Sequence, residues 1–146
     1  MPTTDRDLYH EAIRTTLAQR AKDLSDAGAI AKATSDTWNQ MAAQLVPVIG
    51  THGVEALFKR SVHLTGATFP WLASSAKEMD DSASLPARVT MRLAGSEPDT
   101  AAQASYSLLV TFTELLATMI GHSLTKRLLA PVWTPPAPVA GQETTL

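Results

Sequence analysis

The sequence predicts an all-α protein, an antiparallel helical bundle of about five main helices around one long C-terminal helix. Three observations carry that expectation. Between Tyr106 and Leu129, the residues Leu108, Phe112, Leu116, Ile120, Leu124 and Leu128 recur at every fourth position. They form one ridge along a helix, and Leu109, Leu115 and Met119 widen it into a broad apolar face that must be buried. Elsewhere, helix-start and helix-stop residues punctuate the chain at helical intervals. No segment has the strict apolar–polar alternation of a half-buried strand.

Taken in order, Thr4-Asp5-Arg6-Asp7 has the form of a capping box, and Ile13, Leu17, Ala21 and Leu24 follow at helical spacing. Gly28 is the expected stop, because glycine alone takes a left-handed cap cheaply. Ser35-Asp36 offers the next start, with Ala29 to Ala33 able to be helical already. Trp38, Met41, Ala42, Leu45, Val48 and Ile49 share one face, and Pro47 predicts a kink or break by removing an amide donor. Gly50 and Gly53 mark a turn, after which Val54 to Leu64 forms a helix ended by Gly66.

Pro70 can open a short helix reaching about Met79, and Ser84 can cap one that carries Leu85, Val89 and Leu93 and ends at Gly95. Ser96-Glu97-Pro98-Asp99 joins a capping serine, an early proline and an acid three residues on, so the long helix starts near Glu97. Running unbroken to Pro131 it would be a rod of roughly 50 Å, too long for a compact domain of this size, so it bends near Gly121 or projects. Residues 1–130 therefore read as one helical domain. Residues 131–146 read as a proline-rich, extended tail, with Trp133 docking back on the bundle.

Composition narrows the function classes. The 146 residues are 45% hydrophobic and 18% charged, ordinary for a globular domain, and a net charge of −2 with scattered lysines and arginines gives no footprint for nucleic acid. Having no cysteine, the chain has no disulfide, thiolate metal ligand or cysteine nucleophile, which suits a cytoplasmic protein. The polar N-terminus does not read as a secretory signal. The stretch from Leu108 to Leu124 is as short as a spanning helix can be and carries Glu114 and His122, so no membrane span is expected.

The search for chemistry returns no motif. His10, His52, His63 and His122 lack the spacings that aim two ligands from one helical face, and Glu114 is the sole acid in the apolar stretch, so neither metal nor cofactor is expected. His63-Leu64-Thr65-Gly66 lacks the lysine and the spacing of a phosphotransfer histidine. Glu114 and His122 stand two turns apart on neighbouring faces, and one helix alone cannot position an acid/base pair. The expected function is a non-enzymatic regulatory or sensory module acting through protein contact, most simply as a homodimer. Thr111, Glu114, Thr118 and Gly121 form the small-residue stripe that such a contact would use. The alternative is a small-molecule-binding domain with an apolar pocket lined by Trp38, Phe58, Trp71, Phe112 and His122.

Overall fold

The computed structural model describes residues 5–21, 25–73 and 85–133, and all the regular structure among them is helical. In chain order the elements are α1 (Asp5–Ala21), α2 (Ala27–Thr65), α3 (Pro70–Ala73), α4 (Leu85–Ala94), α5 (Pro98–Ile120) and α6 (His122–Leu129). The expected cap at Thr4, the connector with Ser84, the stretch towards Met79 and the chain beyond Trp133 lie outside the described residues.

The central element is α5, which packs against α1, α2, α4 and α6. Leu108, Phe112 and Leu116 are almost wholly buried, as their spacing requires, and Ala101, Ala104 and Leu109 are buried beside them. The long helix does not run on as a rod. At Gly121 the backbone takes φ 91°, ψ 155°, a conformation open essentially to glycine alone, and the chain restarts as α6. Thr125 secures the joint: its amide (3.1 Å) and its hydroxyl (2.7 Å) both donate to the Gly121 carbonyl.

The joint also shifts the phase of the apolar ridge. Met119, expected to be buried, is 58% exposed, and Ile120, Leu124 and Leu128 are only half-buried. Thr125, which an unbroken helix would place on the small polar side, is fully buried, and Leu129 is buried with it. Beyond α6 the bundle continues through Val132, which is buried, and Trp133, half-buried against the core. Arg20 of α1 holds this segment by donating to the Val132 carbonyl at 3.0 Å, while the same nitrogen donates to Gln40 at 2.8 Å.

A second glycine folds α2 back on itself. Gly50 has φ 80°, ψ 162°, non-helical in an otherwise helical run. A straight helix would hold Trp38 and Phe58 about 30 Å apart, yet their ring centroids are 4.2 Å apart. The arm from Ala27 and the arm over residues 51–65 are therefore antiparallel neighbours. The expected break at Pro47 does not occur: the exposed proline stays within the helix and the reversal comes three residues later, where only glycine tolerates the required φ. As a result Val48, expected to be buried, is 47% exposed.

One helix start and one helix cap also differ from expectation, while α5 begins near Glu97 as expected. Asp26, not Ser35-Asp36, caps α2: its carboxylate accepts the Gly28 amide at 2.9 Å, which puts Gly28 in the first turn of α2 and not at the stop of α1. At α5 the Ser96 hydroxyl donates back to the Arg92 carbonyl (2.8 Å), leaving Glu97 as the N-cap with Pro98 behind it. Several buried hydroxyls follow the same backward pattern, including Thr34 to Ile30, Thr37 to Ala33 and Thr113 to Leu109, each at 2.8 Å. These three hydroxyls satisfy themselves on their own helix and so sit in the core without being orphaned.

The direction of packing sets up the site. Ile30 and Ala33 share a groove with Ala102 and Tyr106, Thr34 lies beside Leu108, and Trp38 meets Phe112. The pairing climbs both helices together, so the first arm of α2 runs parallel to α5, and Gly50 and Gly121 fall at the same end of the bundle. No helix among the described residues is long and apolar enough to cross a membrane.

Candidate functional site

The residues expected to form an aromatic pocket lie on α2, α3, α5 and α6. Trp38, Phe58 and Phe112 do meet, with Trp38 tilted on Phe58 at 4.2 Å and edge-on to Phe112 at 4.9 Å. They are packed core: the crevice beside Trp38 and Phe58 measures about 10 Å³, no more than one water needs. Trp71 is half-buried and meets Phe69 at 6.1 Å. His122 is exposed at the start of α6.

The stripe expected at an interface is partly occupied within the chain. Thr111 and Glu114 are half-buried, and a Glu114 carboxylate oxygen lies 3.3 Å from His10 Nε2 of α1. Thr118 is exposed, its hydroxyl donating to the Glu114 carbonyl at 2.9 Å, and Gly121 is the exposed joint between α5 and α6. A Cβ at Gly121 would meet nothing within 4 Å in this chain, so what requires glycine within the chain is its backbone conformation.

Among the described residues, a concavity lies where α1, the first arm of α2 and α5 converge. It is a partly open groove of about 250 Å³. Its apolar surface comes from Leu17, Ala18 and Ala21 of α1, Ile30 and Ala33 of α2 and Ala102 of α5. The physical cause of the groove is the run of alanines. Three helices held at ordinary separation by their larger side chains leave a gap wherever the facing residues end at a methyl group. Leu17, Ala21, Ile30 and Ala33 are themselves buried, so this wall belongs to the core and is set by its packing.

The rim is polar and ordered. The Arg14 guanidinium sits over the Tyr106 ring, 4.8 Å from its centroid, a cation–π seat. His10 meets the same ring edge-on at 5.8 Å and then reaches Glu114, so one tyrosine organises two cation-capable side chains of α1. Arg14, Gln103 and Tyr106 are the polar groups of the lining. Sequence reasoning placed Leu17 and Ala21 on an apolar helical face but assigned no groove residue to a binding site. An alanine on a buried face permits either close helix approach or a gap, and only the interhelical distance distinguishes them. Among the described residues, no group of three or more potential metal ligands converges.

Compared with protein-family models, curated proteins and solved structures, the chain gives no significant match in any of the three.

Proposed function

We propose that this protein is a non-enzymatic helical binding module whose groove between α1, α2 and α5 takes a small apolar molecule. The observation that carries this reading is the groove itself: about 250 Å³, walled by leucine, isoleucine and four alanines, and built on buried core positions. Binding sites for small ligands have this character, mostly apolar with a few placed polar groups. Titration with octan-1-ol, followed by amide NMR shifts, tests it. Shifts centred on Ile30, Ala33 and Ala102 are expected, and Ala33→Leu or Ala102→Met should remove them by filling the space while circular dichroism stays helical. Shifts spread evenly over the surface, or unchanged in both variants, would reject the reading.

A second reading, self-association, rests on a different observation. Met119 is 58% exposed beside the exposed Thr118 and Gly121, and Val48 is exposed towards the same end of the bundle. An isologous contact there would use the outer part of the α5 stripe, since Glu114 is already engaged by His10. Light scattering coupled to size exclusion decides it. A dimer at micromolar concentration that Met119→Lys dissociates supports this reading, and a monomer at that concentration rejects it.

A further inference from the structure

The groove is apolar along its walls but carries a fixed positive group at its rim, and this bears on what it would hold. Arg14 is exposed, yet its guanidinium is seated over Tyr106 and so is partly pre-organised. Among the described residues, no carboxylate forms an ion pair with it: Glu114 is turned to His10, and Asp36 is paired with Lys32 at 3.0 Å. A guanidinium stacked on a ring keeps its N–H edge available, and that planar edge matches a carboxylate with two parallel hydrogen bonds. Because Arg14 and Tyr106 both line the groove, an anion bound at that edge would stand at the mouth with its apolar part inside.

Resting on the groove as a small-molecule site, we infer that its ligand is an amphipathic monoanion, an apolar body ending in one carboxylate. Size sets the body. A cavity of about 150 Å³ accommodates benzene, so a groove of about 250 Å³ takes roughly ten heavy atoms by the same scale. A straight eight-carbon acid has that size.

The test uses three probes of one length at neutral pH: octanoate, octan-1-ol and octylamine, titrated into the full chain by calorimetry and amide NMR. Octanoate is expected to bind about fivefold more tightly than octan-1-ol, the modest preference suited to an exposed charge pair. The protonated amine should bind most weakly, and the octanoate preference should shrink as salt is raised. Arg14→Gln should make octanoate and octan-1-ol equal without loss of helicity, and Arg14→Lys should restore only part of the preference. If wild type binds octanoate and octan-1-ol equally, the anion inference is overturned while the groove reading stands. If the octanoate preference survives in Arg14→Gln, Arg14 is not what reads the anion and the inference is again overturned. If none of the three probes binds, the groove reading itself falls.

Discussion

Gly50 and Gly121 share one backbone conformation, φ 80°, ψ 162° in the first and φ 91°, ψ 155° in the second, and each follows an isoleucine at the same end of the bundle. Side chains with a Cβ are nearly barred from this region, so each glycine is required by its angle, not by lack of room: a Cβ at either meets nothing within 4 Å. Gly50→Ala and Gly121→Ala should each lower stability by about 1–3 kcal/mol in a urea titration. Values below about 0.5 kcal/mol would show that the joints relax to ordinary helix without cost.

The His10–Glu114 contact ties α1 to α5, with both side chains about one-third exposed. A pair so solvated contributes little, and a double-mutant cycle on His10→Ala and Glu114→Ala should return a coupling of about 0.3–1 kcal/mol. A coupling indistinguishable from zero would mean that packing around Tyr106 alone positions α1.

Phe112 is fully buried and stands edge-on to Trp38 at the centre of the fold. Phe112→Ala should cost about 3–5 kcal/mol, combining lost transfer energy with an unfilled cavity. A loss under about 1 kcal/mol in denaturant titration would contradict a close-packed centre.

Ending the chain after Ala130 should cost about 2–3 kcal/mol, since it removes the burial of Val132 and the carbonyl that Arg20 holds. Thermal melting compared with a chain ending after Trp133 would measure it. Equal melting temperatures would show that residues 131–133 add nothing to the bundle.

What the sequence made legible was governed by periodicity. Leu108, Phe112 and Leu116 occupy the core because four-residue spacing has one reading on a helix. The same logic failed past residue 118, where Met119 is exposed and Thr125 buried, because periodicity assumes an unbroken phase and Gly121 resets it. Pro47 signalled a break three residues early, since proline weakens one hydrogen bond whereas a chain reversal needs a φ that only Gly50 supplies. The aromatic set was misleading for a further reason. Trp38, Phe58 and Phe112 are large enough to fill the space between helices, so they close it, and the opening lies where Ala18, Ala21, Ala33 and Ala102 face one another. Alanine carries no periodic signal strong enough to mark that place in advance.

The contacts of α1 also impose an order in time. His10 meets Glu114 and Arg20 meets Val132, so although α1 also packs on α2, part of its packing waits for partners more than one hundred residues later. During synthesis α1 emerges first but can complete its packing only when nearly the whole chain has left the ribosome, and loop closure over that separation is slow relative to local pairing. The antiparallel arms of α2, joined through Gly50 and sealed by Trp38 on Phe58, need no such wait and are expected to pair first. Pulse-labelled hydrogen exchange during refolding should therefore protect amides around Trp38 and Phe58 before those of α1. Simultaneous protection of both would mean that the bundle condenses in one step.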